Sequence, residues 1–243
     1  MKIFAIADLH LSFDERIEKP MDIFGVNWAN HTDNLKKFWE EKITDEDLVL
    51  IPGDISWALK MEEAIADLEW IHQLPGKKVM IKGNHDLWWT SVGKLNKLYD
   101  DIHFLQNDFY PFGDVAICGS RGWVCPGSDE FGQHDNKIYE RELLRLEMSL
   151  SAAEKAGYTR KVAMMHYPPT NDRMQKSGFT ELYTKYGVEK VVYGHLHGKD
   201  GFKNGLKGVM NDVEYDLVSV DYRHCDPKLV LELDTEKEVA ARE

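Results

Sequence analysis

The sequence predicts an α/β fold organised around parallel strands, and two observations support this prediction. Five short apolar runs of β type end in Gly or directly in side chains that can bind a metal ion or move a proton. Segments with the helical spacing of apolar residues lie between these runs. Open α/β sheets build their sites at the carboxyl edge of the strands, so we expect these side chains to lie together. They are Asp8, His10, Asp54, Asn84, His85, Asp86, His166, His195 and His197.

The strand predictions rest on short runs rich in Val, Ile, Leu and Met without polar alternation, which are typical of strands buried on both faces. From Phe202 onward the pattern changes, and we expect antiparallel β structure there. The first group of predicted strands is Lys2–Ala7, Leu48–Ile51, Val79–Ile81, His103–Leu105, Val115–Cys118, Lys161–Met165 and Glu189–Tyr193. The later group is Val213–Val220 and Leu229–Leu233.

Helices are predicted where apolar residues recur every three or four positions. A helix capped by Asn30 or Thr32 should run to Lys42, and another should end before Gly157, a residue suited to the position after a helix. The other predicted helices are Leu59–Gln73, Trp89–Tyr99 and Phe179–Tyr186. The expected buried stripes are Leu35, Phe38 and Trp39; Met61, Ala64, Ile65, Leu68 and Ile71; and, on the helix Asp135–Ala156, Tyr139, Leu143, Leu146, Leu150 and Ala153.

Segments 11–27 and 121–133 are interrupted by Gly, Pro and polar residues and are predicted to be loops. The sequence shows no internal repeat, low-complexity tract or linker, so we expect a single domain over residues 1–243. The polar residues from Thr235 onward are expected to be frayed.

Composition excludes several classes of protein. The apolar fraction of 43% is sufficient for a core, while the formal net charge of -12 argues against general binding to nucleic acid or to an anionic membrane. The three cysteines are odd in number and irregularly spaced, so a disulfide framework is not expected. Without a recognisable leader or a long apolar run, we expect a cytoplasmic, reduced protein.

The candidate site residues are imidazoles, carboxylates and one amide, with no thiolate. This donor set suits first-row ions such as Mn, Fe, Zn, Co or Ni, and it exceeds what one ion with open positions needs. Two ions roughly 3.5–4 Å apart can hold a hydroxide for in-line attack on phosphorus. Two divalent ions would carry +4, and two aspartates with the hydroxide would carry -3. The site would keep a small net positive charge, which would attract a phosphate ester.

The motifs Asp-x-His, Gly-Asp, Gly-Asn-His-Asp, a His at a strand end and Gly-His-x-His occur in this order between residues 8 and 197. Together they resemble the calcineurin-like metallophosphoesterase superfamily. The resemblance implies a four-layer α-β-β-α sandwich of two mixed sheets flanked by helices. It also implies two transition-metal ions, divalent or trivalent, with Asp8, His10 and His197 on one ion, Asn84, His166 and His195 on the other, and Asp54 between them.

By the same resemblance, His85 is not a ligand but assists the leaving group, and Asp86 orients its ring. Residues 53–57, 83–89 and 121–123 look like those of a group of predicted bacterial phosphohydrolases. Protein Ser/Thr phosphatases of this superfamily carry an Arg close to the Gly-Asp motif, and this chain does not. Its full set of motifs looks closer to the bacterial cyclic-nucleotide and general phosphodiesterase branch. A phosphodiesterase is therefore favoured over a phosphomonoesterase, with a small phosphate ester as substrate.

Several alternatives stay open. The fold also serves as a non-catalytic protein-assembly scaffold, but scaffolds usually have broken metal motifs and none is broken here. A nuclease is disfavoured by the net charge of -12. Arg121 follows a predicted strand and is a candidate phosphate clamp, although a surface ion pair is nearly as common. Stacking on Trp57, Trp88, Trp89 or Trp123 would favour a nucleotide-like ester, while core packing is the more frequent use of such residues.

Overall fold

The computed structural model describes residues 1–233 and shows the alternation of strands and helices that the sequence predicts. The segment from Thr235, predicted to be frayed, lies outside these residues. The strands are β1 (Lys2–Ala5), β2 (Leu48–Ile51), β3 (Lys77–Met80), β4 (Ile102–Phe104), β5 (Tyr110–Phe112), β6 (Val115–Ser120), β7 (Arg160–Met165), β8 (Lys190–Tyr193), β9 (Gly208–Met210), β10 (Val213–Leu217) and β11 (Lys228–Glu232). The α-helices are α1 (His31–Lys42), α2 (Met61–His72), α3 (Val92–Leu95), α4 (Gln133–Lys155), α5 (Gly178–Lys185) and α6 (Gly198–Lys203).

The strands form two mixed sheets. The first has the order β11-β1-β2-β3-β4, in which β1 to β4 are parallel and β11 is antiparallel to β1. The second has the order β5-β6-β7-β8-β10-β9, with a parallel centre and antiparallel strands at both edges. Every residue of β2 and β6 is buried, which explains why β2 is entirely apolar and why Ser120 is the one polar side chain of β6.

Three apolar clusters lie between the layers of the fold. One joins the outer face of the first sheet to α1 and α2, through Trp39 and Leu68 among others. A second joins the second sheet to α4 and α5. The third lies between the sheets, where Ile3, Val79 and Val162 belong to the same cluster. These interfaces define a helix–sheet–sheet–helix sandwich, so the predicted four-layer α/β fold is confirmed.

Most of the predicted helical stripes face the core. Leu35 and Trp39 are fully buried on α1, and α4 ends just before Gly157, which has the left-handed φ of +88°. Ile65 is an exception, because 40% of it is exposed while Asp67 of the same helix is fully buried. The stripe of α2 is therefore rotated from the predicted one to include a buried carboxyl group.

Two predictions of secondary structure are wrong. The helix expected over 89–99 is limited to α3, because Asn96 exchanges side-chain hydrogen bonds with the backbone of Phe104 and the chain turns back into β4. The segment from Phe202 is not uniformly antiparallel, since Phe202 lies in α6 and β10 pairs in parallel with β8. Strand β5, which contains Pro111 at a sheet edge, was not predicted.

Among the helices of the described residues, none combines the length and the apolar character needed to cross a membrane.

The buried Asp67 generates a prediction about stability. Its carboxylate accepts the Phe13 N–H at 2.7 Å and the Ser56 hydroxyl, and burial raises its pKa to about 6. A folded-state pKa above the unfolded value means that folding favours the protonated form, so this contribution to stability falls as the pH rises from about 4 to about 6. The difference between this pKa and that of an unfolded Asp, which is about 4, corresponds to roughly 3 kcal/mol in the free energy of unfolding.

The measurement is urea unfolding of the metal-stripped protein and its Asp67→Asn variant from pH 4 to pH 7. We expect the variant to gain stability relative to the unsubstituted protein by roughly 2–3 kcal/mol across this range, because Asn has no proton to lose. Parallel pH profiles for the two proteins would contradict this account of Asp67.

Candidate metal centre

The candidate site lies where the carboxyl edges of the two sheets are joined. Beyond the end of β1, the Ala7 N–H donates to the carbonyl oxygen of Val218 at 2.8 Å. The Val220 N–H in turn donates to the carbonyl oxygen of Ala7 at 2.9 Å. This pair of hydrogen bonds ties the first sheet to the continuation of β10, so loops from both sheets face one another at this edge.

Two groups of donor side chains occur there. Asp8, His10 and His197 each offer one ligand atom within 4.8 Å of the others, and so do Asp54, His166 and His195. The groups are in contact, because Asp54 Oδ2 lies 3.4 Å from His166 Nε2 and 3.9 Å from His10 Nε2.

Asn84 joins the second group through its amide oxygen. Asn84 Oδ1 lies 2.7 Å from His166 Nε2 and 2.9 Å from His195 Nδ1. The structure therefore brings all seven predicted metal residues together at one edge of the sandwich. That they bind metal remains a prediction.

The backbone at this site has an uncommon conformation. Asp8, His10, Asp54 and His195 have φ values of 59°, 47°, 51° and 71°. Positive φ is disfavoured for residues other than Gly, by about 1–3 kcal/mol each, and it clusters at functional sites. Here it turns the chain sharply at the end of each strand.

Two glycines allow the loops to approach the carboxylates closely. A Cβ atom at Gly83 would lie 2.1 Å from Asp54 Oδ1, and one at Gly194 would lie 2.5 Å from Asp8 Oδ2. Neither position has room for a side chain, so the glycines that precede Asn84 and His195 are required by packing.

Burial dominates the electrostatics of the donor groups. It raises the pKa of Asp8 to about 8 and also raises that of Asp54, whereas it lowers the pKa of His10 and His195 and brings that of His166 to about 3. The imidazoles are thus held neutral, in the form that binds metal. Ionised aspartates buried at this density need a cation nearby, and the donor set fits a transition-metal ion.

Asp221 belongs to the site but was not predicted. Its carboxylate is buried, lies 2.9 Å from His197 Nδ1 through Oδ1, and accepts the Gly198 N–H at 3.2 Å through Oδ2. Burial acts to lower the pKa of His197, but hydrogen bonding to Asp221 and the nearby carboxylates raise it overall to about 9. The contact leaves Nε2 of His197 available to an ion, an arrangement common among metal-binding histidines. A signal existed, because Asp221 directly follows the segment 217–220, which is apolar except for Ser219.

His85 lies on the solvent side of the centre. Its backbone N–H donates to Asp54 Oδ1 at 2.8 Å, and its exposed ring lies 4.5 Å from the ring of Trp57. Trp57 also stacks on His10 at 4.6 Å. These contacts place the imidazole above the donor groups, where it can reach a substrate.

Asp86 does not make the contact with His85 that was predicted for it. It is fully buried, and its oxygens accept the N–H groups of Gly83, Ile55 and Ser56 and the indole N–H of Trp88. Within residues 1–233 it makes no hydrogen bond to the ring of His85. The prediction that Asp86 orients this ring is wrong, because four other donors already occupy its carboxylate.

Arg121 lies beside the centre and faces a separate cavity. Its guanidinium stacks on Trp123 at 4.6 Å and its Nη2 lies 3.7 Å from Glu142 Oε1. Its carbonyl oxygen accepts the N–H groups of His166 and Tyr167, each at 3.1 Å. The cavity it lines includes none of the seven predicted metal residues among its described lining residues. Arg121 as a clamp on the hydrolysed phosphate stays a prediction.

Of the four tryptophans considered for stacking, Trp57 lines a cavity that opens onto the centre. This cavity has a volume of about 530 Å³ and is also lined by His85 and by Trp28, which the sequence analysis did not consider. Trp88 is buried in the core, Trp89 packs against it, and Trp123 lies on Arg121. An aromatic wall therefore exists, but it is built mainly by residues 28 and 57.

Comparisons with known proteins agree with the fold and the motifs. A model of the calcineurin-like phosphoesterase family matches residues 1–199, which confirms the resemblance seen in the sequence. Gene 66 protein of Mycobacterium phage D29 is 24% identical over 199 residues, covering 81% of this chain and 79% of the phage protein.

Two solved structures share the fold. Phosphopantetheinyl hydrolase (PptH) from Mycobacterium tuberculosis superposes with a TM-score of 0.57 at 15% identity, over 97% of each chain. TT1561 of Thermus thermophilus superposes with a TM-score of 0.54 at 12% identity, over 81% of this chain and 82% of the other. At these identities the likeness shows the fold alone.

The Asp221–His197 contact gives a prediction about metal affinity. Replacing Asp221 with Asn removes the charge that supports His197, and loss of such a partner typically weakens metal binding by about 10-fold to 100-fold. Titration calorimetry with Mn²⁺ on metal-stripped protein measures the effect. The matched control is Asp200→Asn, because Asp200 is exposed in α6, directly after His197. This variant should bind Mn²⁺ as the unsubstituted protein does. Equal affinity in both variants would remove Asp221 from the centre.

Proposed function

The chain belongs to the calcineurin-like phosphoesterase family, and we propose that it is a phosphodiesterase acting through two metal ions. Metal-dependent hydrolysis of phosphate esters is the chemistry of this family, and the donor clusters of the chain are able to bind metal. The proposal is carried by one observation. Two donor groups, each within 4.8 Å, meet at Asp54, whose carboxylate lies between imidazoles of both groups.

The donors suggest how the ions would be shared. Asp8, His10 and His197 would hold one, and the imidazoles of His166 and His195 with the Asn84 amide would hold the other, with Asp54 between them. Mn, Fe, Zn, Co and Ni all suit such nitrogen and oxygen donors. When bound, two such ions supply an activated hydroxide for attack on phosphorus and positive charge for the phosphoryl oxygens.

His85 is proposed to protonate the departing oxygen of the substrate. Its ring is exposed on the solvent side of the centre, while its backbone is anchored to Asp54. A protonated imidazole can give its ring proton to a departing oxygen within hydrogen-bond reach. Attack from the metal side would direct the leaving group away from the ions and toward this ring.

Asp86 is proposed to act as a positioning residue. Its carboxylate joins the Gly83 N–H of one loop to the Ile55 and Ser56 N–H groups of the loop after β2. These two loops supply Asn84, His85 and Asp54. Holding them together fixes the distance between the donors and the proposed acid.

The choice of a diester rests on the shape of the site. One cavity, of about 530 Å³, opens beside His85 and has an apolar wall. A second, of about 320 Å³, opens at His195 and Tyr167. A phosphodiester carries two ester groups, and each cavity could receive one, whereas a monoester would fill only one.

A substrate panel tests the reaction class. The metal-stripped protein is reconstituted in turn with Mn, Fe, Co, Ni or Zn, and kcat/KM is measured for bis(4-nitrophenyl) phosphate and 4-nitrophenyl phosphate. We expect the diester to be the better substrate. The reverse order would make the protein a monoesterase, and inactivity with every metal on both esters would favour the scaffold alternative.

Replacing His85 separates metal binding from leaving-group assistance. His85→Asn should keep the metal content, read by elemental analysis, because the ring is not assigned as a ligand. Turnover should fall by about 10²-fold to 10⁴-fold for a diester with an alkyl leaving group. The loss should be smaller for a 4-nitrophenyl leaving group, which departs with little need for a proton.

The control is His224→Asn, an exposed histidine with a positive φ that Asn also tolerates. Its kinetics should match those of the unsubstituted protein. Equal losses of turnover for both leaving groups in His85→Asn would exclude the proton-donor role.

A further inference from the structure

A second charged site lies next to the metal centre. A cavity of about 330 Å³ is lined by Lys82 at the end of β3, Arg121 at the end of β6, and Arg141, Glu142 and Arg145 of α4. We call it the basic pocket. Four cationic side chains and one carboxylate give it three positive charges in excess, in a chain whose net charge is -12.

The pocket is attached to the elements that carry the donor groups. Lys82 precedes Asn84 by two residues, and the carbonyl oxygen of Arg121 accepts the N–H of His166 at 3.1 Å. The same loops therefore supply residues to both the donor groups and the basic pocket.

Glu142 fixes the arginines but does not neutralise them. It is fully buried, and its Oε1 lies 2.9 Å from Arg145 Nη1, 3.3 Å from Arg141 Nη2 and 3.7 Å from Arg121 Nη2. Three guanidinium groups thus share one carboxylate oxygen. Positive charge confined in a partly desolvated cavity is costly unless an anion joins it.

Polar atoms of the pocket wall also lack partners. Arg121 Nε, Glu142 Oε2 and Asn107 Oδ1 are buried without a hydrogen-bond partner among residues 1–233. Over the same residues Lys82 makes no ion pair within 4.0 Å. Buried polar groups are rarely left unpaired, so a cluster of them along one wall indicates a ligand.

We propose that the basic pocket binds a second phosphate group of the substrate, one that is not hydrolysed. This inference rests on the proposed function. The phosphate oxygens would accept from Lys82, Arg121 Nε and the α4 arginines, which are suited to phosphate geometry. The unpaired oxygens of Glu142 and Asn107 would accept hydrogen bonds from hydroxyl groups near that phosphate. The substrate class is therefore a phosphodiester that also carries a phosphorylated, hydroxyl-bearing group.

Binding to metal-stripped protein tests the pocket apart from catalysis. Titration calorimetry with glycerol 3-phosphate should show one site, and glycerol alone should show none. Lys82→Met should weaken binding by about tenfold or more, because it removes a charge-assisted hydrogen bond while keeping the aliphatic stem. Lys97→Met, at an exposed lysine outside the pocket, is the control and should bind as the unsubstituted protein does.

Arg145→Gln is a second variant, which leaves Glu142 paired with Arg141. It should weaken binding similarly, with melting temperature confirming that both variants fold. Failure of the unsubstituted protein to bind glycerol 3-phosphate, or equal affinity in every folded variant, would overturn the proposal.

Kinetics then connects the pocket to the substrate. We compare a plain aryl phosphodiester with one whose second arm ends in a phosphorylated polyol. The ratio of their kcat/KM values should favour the phosphorylated ester and should fall about tenfold in Lys82→Met. An unchanged ratio would contradict the proposal. Inactivity on both esters would instead count against the proposed function, and the binding measurement would still decide whether the pocket holds phosphate.

Discussion

The structure depends on burying two carboxylates, Asp8 and Asp54, at the joint edge of two sheets. Neither is more than 1% exposed, and each comes from a turn with positive φ. Burial raises the pKa of both groups, so each carboxyl group is either protonated and neutral or ionised beside a cation that balances its charge. The surrounding features follow from this constraint: glycines that make room, backbone N–H groups aimed at the carboxylates, and the neutral imidazoles of His10, His166 and His195.

Much of this arrangement could be predicted because it is local in sequence. Runs buried on both faces, such as β2, reveal a parallel sheet with helices or sheets on each side. The polar residues that follow such strands must then share one edge. The nine polar candidates, which include the donor residues and His85, can therefore be assigned to one edge from the sequence alone.

The predictions that are wrong concern features that depend on contacts between segments far apart in the sequence. Whether β10 pairs with β8 in parallel depends on neighbours far along the chain, and an alternating sequence does not specify the direction. Asp86 follows His85 in sequence, yet its carboxylate turns to N–H groups of the loop after β2. Asp221 could have been considered as a residue that follows a predicted strand, but its contact with His197 depends on the pairing of β10 with β8. Hydrogen-bond partners of buried carboxylates are a tertiary property.

The distribution of charge suggests how an acidic protein can select an anionic substrate. A net charge of -12 repels long polyanions, whose many phosphates would lie along the acidic surface. Under the proposed function, a small ester would meet a different field, because it would reach the candidate metal centre and the basic pocket at once. The pocket's positive charges lie in a cavity, where a low dielectric strengthens their attraction for a nearby anion. Beyond about 10 Å, dissolved salt screens this attraction. On these proposals, global repulsion would disfavour nucleic acid, and local attraction would favour a compact molecule with more than one phosphate.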